Sequence, residues 1–574
     1  MQSIDDRMLK NLDKEYILIA ILGALFFIPF LGGVHLFDWD EINFAECARE
    51  MITTGDYMRP QIDYEPFWEK PPLFLWMQAA SMHLFGINEF AARFPNALCG
   101  ILTLLIAYHL GRTLYDRFFG WVWALAWLGS ILPHLYFRSG IIDPWFNLLI
   151  FLGLYGFIKF RWHFFTLKNR PGLLAYYKPL LLGGAALGLA ILTKGPTAYL
   201  ITFLVLFVYF ARYRFRNKGY VKHVVIFSVF AALVALTWFG IEVTMNGTWF
   251  VTEFVKYQIR LLQTADAGHG GFFGYHFVVL LLGCFPISAF AVANLWGDRQ
   301  SQEEVLESDT LAACKRSDFT TLMQILFWVV LILFTLVKTK IVHYSSLAYF
   351  PLTYLGALTI WRAARWNNIP AIPGYLLPIL GVLIGSIIAV VPYVGMHPEW
   401  LKPLFSKDAF ALGNLEARPD WHIWQGFPGV VLILGSLAGW WYWKQKNQWH
   451  SARLALLSGA ICVAFTLILY IKKIEAYSQA AAIEFYEKKS NEDCYVRPAG
   501  FKSFGHLFYT EKPPLTENYT LDDYPNLTTG TPSKKAYFVT KVTNQQNLPE
   551  LPDVHELYRK NGFVFYEREW KKPE

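Results

Sequence analysis

YILIAILGALFFIPFLGGV at residues 16–34 runs without interruption into HLFDWDEINFAECAREMITTGDYMRPQIDYEPFWEKPPLFLW at residues 35–76. The first stretch has the roughly 20 apolar residues that a helix needs to cross a hydrocarbon core. The second crowds Asp38, Asp40, Glu41, Glu46, Arg49 and Glu50 directly behind it, and then Glu65, Glu69 and Lys70. Solubility alone does not require so much charge at a membrane mouth, where ionisable groups mark a site or an interfacial turn. A span followed by a charged loop is the unit from which the fold is read.

The rest of the chain repeats the first half of that unit. Of 574 residues, 55% are hydrophobic and 17% charged, against roughly 45–50% and about 25% in soluble domains. The mean hydropathy of +0.30 is spread over many runs, which excludes a soluble globule and leaves more than a signal peptide or single anchor to explain. Further runs of spanning length lie near 91–111, 118–136, 141–160, 179–194, 196–211, 223–244, 275–296, 319–337, 341–361, 373–393, 425–443 and 453–471. With the first they predict an all-α polytopic membrane protein of about thirteen helices.

Parity of the basic loops fixes the orientation. The apolar stretch 71–86 is short and opens on two prolines. If it spanned, the basic connections 112–117, 161–178, 212–222 and 444–453 would all face outward; lying in the interface, it leaves all four in the cytoplasm. Segment 35–90 is then one large first outer loop with interfacial helices, residues 1–471 form the transmembrane domain, and an odd number of spans sends the C-terminus out. Residues 472–574 turn polar, with Pro513, Pro514, Pro525 and Pro532 among alternating pieces such as AYFVTKV and FVFYERE, and are expected to form a small α+β domain outside the membrane. Further outer segments are expected at 245–275 and 394–424, and a solvated cytoplasmic connector at 297–318.

The net charge of +7 and pI near 8.8 invite a nucleic-acid reading. The basic residues sit in short clusters between apolar runs, where the positive-inside rule places them, and nucleic acid is set aside as a partner. The six cysteines are scattered singly and carry no metal or redox motif.

Charge collects at a third outer position, Arg138 and Asp143 in RSGIIDPWFN at 138–147. With the first loop, with ILTKGPTAYL at 191–200, AGHGGFFGYHF at 267–277 and KTKIVHYSSLAYFP at 338–351, it resembles in order the signatures of the bacterial aminoarabinose (4-amino-4-deoxy-L-arabinose) transferases. These are GT-C glycosyltransferases related to protein O-mannosyltransferases, integral membrane enzymes that use sugars carried on polyprenyl phosphates. The resemblance covers most of the first 360 residues; the C-terminal third is similar only in layout.

The resemblance implies transfer of a sugar, such as aminoarabinose, from undecaprenyl phosphate to lipid A or a similar acceptor facing the periplasm of a bacterial inner membrane, with inversion. Asp40 matches the family's first-loop carboxylate, the expected catalytic base, with Asp38 and Glu41 as fallbacks. A carboxylate there can take the acceptor's proton, and a single displacement needs no carboxylate nucleophile. Lys70 matches the lysine beside the leaving phosphate, whose growing charge an ammonium offsets. Tyr344 is expected to bond the donor phosphate or its sugar, and Asp143 to support Lys70 or the sugar. Glu69 and His269 match a pair that can hold a divalent metal, zinc, magnesium or manganese, although two ligands are too few to specify zinc. Lys194 in TKGP is expected to be structural. Where relatives carry a basic residue after the loop histidine, this chain has Gly270 and Gly271, so Arg260, Arg138 or Arg59 is expected to compensate.

Two other readings stand beside this one. A related enzyme would move a hexose to a protein or another glycolipid. A secondary transporter or flippase would place ionisable residues near mid-membrane and show inverted repeats, whereas the charges here gather in outer loops.

Overall fold

The computed structural model describes residues 2–166, 172–214, 219–263, 270–297, 310–366, 369–512, 534–545, 548–551 and 553–569, together with Leu527. Among them, seven helices are long and apolar enough to cross a membrane: Glu89–Leu114, Leu174–Lys194, Val221–Asn246, Leu311–Leu336, Ala371–Met396, Ile423–Lys444 and Gln448–Ala476. The protein is therefore a mostly helical, multi-pass membrane protein. Other apolar runs also fold as helices, among them Gln2–Phe27, Asp143–Thr166, Thr197–Arg212 and Tyr349–Trp366.

Two runs that read as continuous are broken. The run at 275–296 splits into Tyr275–Gly283 and Ile287–Asn294, bent by 110°, because Pro286 has no N–H to continue the helix. The run at 118–136 splits at Ser130 into Arg117–Gly129 and Ile131–Tyr136. The breaks answer each other, since the freed Ile131 N–H donates to the Phe285 carbonyl at 3.1 Å. Here the chain also crosses the helix Gln448–Ala476 at backbone contact: a Cβ on Gly129 would fall 2.1 Å from the Leu456 carbonyl oxygen, and one on Gly459 2.1 Å from that of Gly129. Small residues at such crossings let helices in lipid approach closely.

The first loop is held by buried charge. Arg93, 3% exposed, donates to the carbonyls of Leu31, Val34 and His35 at 2.8 Å and grips Glu41 at 2.7 and 3.0 Å. Glu41 in turn accepts the N–H groups of Phe37 and Gly140. This node joins the end of the first helix, the loop helix Asp40–Thr54, the helix Glu89–Leu114 and the turn before Asp143. Removing one partner of a buried pair strands the other charge, so Arg93→Met is expected to cost about 3–5 kcal/mol, read as a large drop in the Tm of the detergent-solubilised protein.

Glu50 organises the approach to Lys70. Strands β1 (Gln61–Ile62) and β2 (Glu65–Pro66) pair antiparallel around Asp63 and Tyr64, both at positive φ, 58° and 61°, as a tight hairpin turn demands. Their N–H groups donate to the Glu50 carboxyl at 2.7 and 2.8 Å. Burial, with Glu46 beside it, pushes the Glu50 carboxyl well above the usual carboxylate range.

The C-terminal segment carries a four-stranded sheet, β3 (Tyr495–Ala499), β4 (Ala536–Lys541), β5 (Val554–Lys560) and β6 (Phe563–Arg568), in the order β3-β4-β6-β5. β3 and β4 run parallel and the other pairs antiparallel. The alternating sequence pieces become β4 and β6, and period two sorts their faces. Tyr537, Val539, Phe563 and Phe565 pack with the helix Ala480–Lys488 and through it on Ile42, Ala45 and Ala48 of the first-loop helix. Phe538, Val564 and Tyr566 form a separate core with Leu548. Polar ties join the same two regions: Arg497 to Asp63 at 2.6 Å, His35 to Glu475 at 2.7 Å, and the Tyr64 hydroxyl to the Lys512 carbonyl at 2.7 Å.

Candidate active site

A cavity of about 1440 Å³ opens where the first loop, the helix ends and the C-terminal segment meet, and Asp38, Asp40, Glu69, Lys70, Asp143, Lys194, Arg260, His343 and Tyr344 all line it. Seven of these nine are site residues or their support in the sequence reading, which has Lys194 as structural. His343 is the ninth, with no expectation attached to it.

Asp40 is the first residue of its helix, and Trp39 before it takes φ 76° without a side-chain cap. A non-glycine residue in that region stores roughly 1–3 kcal/mol and survives only where its surroundings enforce it. Asp40 thus reaches the cavity at a helix N-terminus, which favours negative charge. Its side chain keeps 40% of its surface exposed, and its Oδ2 lies 3.4 Å from His343 Nε2. Burial opposes the charged form, but His343, Lys70 and Lys194 outweigh it and hold the carboxyl well below the usual carboxylate range.

Asp143 and Lys194 meet because their helices run antiparallel. Asp143 begins Asp143–Thr166 and Lys194 ends Leu173–Lys194, so each charge also sits at the helix end whose dipole suits it. The helices close tightly at Gly156, where an added Cβ would lie 2.7 Å from Gly183 Cα. Lys194 Nζ donates to Asp143 Oδ1 at 2.8 Å, and the ammonium stands 5.4 Å from the centre of the Tyr344 ring. His343 Nε2 lies 3.9 Å from Asp143 Oδ2, making the imidazole a bridge between the two aspartates.

Lys70 faces the same space from the first loop, its Nζ 3.9 Å from Glu69 and 5.1 Å from the centre of the Tyr257 ring. Burial lowers its affinity for a proton, and Lys194 adds to this, while Glu69, Asp40 and Asp143 work the other way. Arg260 lies over the other reach of Tyr257, 5.2 Å from its centre.

Three expected residues, Arg138, Glu41 and Arg59, are not among those that line the cavity. The Arg138 guanidinium donates to the carbonyls of Phe26 and Pro29 at 2.8 and 2.6 Å, stitching the end of the first helix. It is not among the residues that line the cavity, and its bonds brace the fold at the end of the first helix. Glu41 is bound up with Arg93, which removes it as a fallback base. Asp38 remains at the wall, its carboxyl raised by burial against the pull of Ser503, the Trp39 backbone and Lys541. Arg59 does not line the cavity either; its guanidinium carbon stands 6.0 Å from the centre of a Trp249 ring. His269 lies outside the described residues.

His343 could have been found from its place beside Tyr344 in KTKIVHYSSLAYFP. The missing signal was the 3₁₀ turn Val342–Ala348, which aims both residues inward.

The family described as dolichyl-phosphate-mannose-protein mannosyltransferase matches residues 69–238. The undecaprenyl phosphate-alpha-4-amino-4-deoxy-L-arabinose arabinosyl transferase of Enterobacter sp. (strain 638) is 26% identical over 448 residues, 74% of this chain and 76% of that protein. That of Pseudomonas aeruginosa (strain LESB58) is 26% identical over 69% of this chain and 67% of its own. The crystal structure of ArnT from Cupriavidus metallidurans bound to undecaprenyl phosphate superposes with a TM-score of 0.71 over 96% of this chain and 97% of that one, at 16% identity. This chain has the ArnT fold. The sequence resemblance to aminoarabinose transferases and the likeness of fold to ArnT each extend over most of the chain.

Among the described residues no group of three or more His, Cys, Asp and Glu side chains is placed to hold a metal ion. At the position where the ArnT resemblance suggested one, the described donor is the Glu69 carboxylate beside the Lys70 ammonium, too small a set to specify a metal.

Proposed function

We propose that the protein is a membrane glycosyltransferase that moves 4-amino-4-deoxy-L-arabinose from undecaprenyl phosphate to lipid A, or to a similar anionic acceptor, at the periplasmic face of a bacterial inner membrane. The observation that carries this reading is one cavity shared by the Asp40 carboxylate and the Lys70 and Lys194 ammoniums, the charges that a displacement at an anomeric carbon with a phosphate leaving group calls for.

The donor phosphate sits against Lys70 and Lys194, with Tyr344 and Arg260 at its edges. Asp143 holds Lys194 in place. An oxygen of the acceptor, a P–OH in lipid A, attacks the anomeric carbon from the face opposite the phosphate. The C–O bond to undecaprenyl phosphate breaks, its electron pair leaves on the phosphate, and the ammoniums offset that charge, which grows toward the transition state. The acceptor's proton passes to Asp40, and His343 beside it orients the carboxylate. One displacement inverts the anomeric centre. A carboxyl held below its usual range is a weak base, so Asp40 contributes through position.

The full topology belongs to the same proposal: thirteen spans, a cytoplasmic N-terminus, and residues 472–574 as a periplasmic domain that guides the acceptor. It is supported by the basic connections that cluster on one side under that count. The mannosyltransferase description of the matched family favours a second reading, transfer of a hexose from a polyprenyl phosphate to a protein. Purified protein given labelled undecaprenyl-phosphate aminoarabinose or mannose, with lipid A or an unfolded Ser- and Thr-rich polypeptide as acceptor, separates the two. Label on lipid A from the aminoarabinose donor is the expected result; label on the polypeptide alone overturns it.

A further inference from the structure

Three residues past Asp40 on the same helix, Asn43 lines the reaction cavity, and the mechanism above makes no use of it. Residues three apart on a helix are neighbours on its surface, so the carboxamide stands beside the catalytic carboxylate. Asn43 is 8% exposed, and its Oδ1 has no hydrogen-bond partner among the described residues. Its backbone is satisfied, the N–H donating to the Trp39 carbonyl at 2.9 Å, so the unmet bond belongs to the side chain alone.

Burying a polar side chain without a partner is costly, and such groups are rare in folded proteins. Asparagine is also a poor helix former, because its side chain bonds nearby backbone best at caps and turns. An apolar side chain of similar size would suit the folded chain better at this position. Both costs are offset if a ligand in the cavity supplies the missing partner.

The neighbours define the chemistry of that ligand. A second oxygen on the wall, Asp143 Oδ2, is buried and also lacks a hydrogen-bond partner among the described residues. Two open acceptors call for a ligand that brings donors, which a phosphate diester lacks and a sugar has. A hydroxyl is donor and acceptor at once, so it fits a carboxamide turned either way. Asp40 works at the anomeric carbon, and the ring hydroxyl nearest that carbon is the one on C2.

We infer that Asn43 binds the 2-hydroxyl of the donor sugar and makes that hydroxyl a requirement for fast transfer. The inference rests on the glycosyltransferase reading and adds to it a residue that reads the sugar. As the phosphate leaves, positive charge grows at the anomeric carbon, and a hydrogen bond given by the 2-hydroxyl strengthens. An acceptor already fixed by a helix and shielded from water needs no reorganisation at that moment. The contact therefore acts on kcat more than on KM.

The test uses the full chain in nanodiscs, lipid A as acceptor, and two donors, undecaprenyl-phosphate aminoarabinose and its 2-deoxy counterpart. Asn43→Leu is expected to lower kcat for the 2-hydroxy donor about ten- to a hundredfold, and to change kcat for the 2-deoxy donor less than about twofold. Comparing both enzymes on each donor cancels the intrinsic difference in reactivity between the donors. Because the carboxamide is unpaired in the free protein, Asn43→Leu is expected to keep or raise the Tm. Asn43→Ala leaves a small hollow and gives the same split between donors even where its Tm falls. Equal losses on both donors would make Asn43 a structural residue and overturn the inference, as would an undiminished kcat on the 2-hydroxy donor. Wild-type protein that transfers sugar from neither donor would sink the glycosyltransferase reading itself, and the inference with it.

Discussion

Replacing Asp40 with asparagine is expected to lower kcat by about 10²–10⁴, the range over which a positioned proton acceptor acts, while undecaprenyl phosphate still binds. Asparagine keeps the shape of aspartate, so the helix start at Asp40 and the strained Trp39 behind it are retained; what disappears is the negative charge 3.4 Å from His343. Single-turnover transfer from preloaded labelled donor reads the chemical step, and retention of the labelled donor reads binding. Because the surrounding cations hold Asp40 below the ordinary carboxylate range, it stays ionised until well below that range, and the acid limb that depends on it is displaced to correspondingly low pH. Asp38→Asn, at a carboxyl that burial raises, is expected to leave turnover near normal, whereas Glu41→Gln loses stability through its pairing with Arg93. Near-normal turnover in Asp40→Asn would move the base elsewhere.

The contrast between Asp40 and Arg138 shows what sequence can carry here. Hydropathy and loop charge are one-dimensional signals, so the helical runs, the charged first loop and the polar C-terminal segment are legible from composition alone. Asp40, Lys70, Asp143 and Tyr344 are legible because each sits in a short stretch whose neighbours are distinctive. Arg138 has the same apparent credentials, but three carbons of side chain decide whether its guanidinium faces solvent or turns back onto the Phe26 and Pro29 carbonyls, and no local pattern encodes that choice. Lys194 reads as structural because its partner is 51 residues away; only the antiparallel packing at Gly156 and Gly183 makes the pair. The helix breaks at Ser130 and Pro286 were similarly hidden inside apolar runs, since each is satisfied by a backbone group of the other.

Replacing Lys70 with methionine is expected to lower kcat/KM by about 10²–10³, the cost of losing one preorganised donor to a developing oxyanion. Methionine fills much the same volume and preserves the packing against Tyr257, so the loss isolates the charge. Lys194 lines the same cavity as Lys70 and disfavours protonation of Lys70; a phosphate between them reverses the sign of that interaction. Binding of the donor must therefore raise the Lys70 pKa, and by linkage proton affinity and phosphate affinity rise together. For a lysine whose free-state value is already lowered by burial, the charged form is present below that lowered value and is lost as pH rises through it. Donor KM is then expected to climb at a pH below that of an ordinary lysine, with proton uptake on binding in the same window. Lys70→Arg keeps the charge throughout the range and is expected to flatten the alkaline rise even where the altered shape of the head lowers turnover. An alkaline limb that persists unchanged in Lys70→Arg would remove Lys70 from the phosphate.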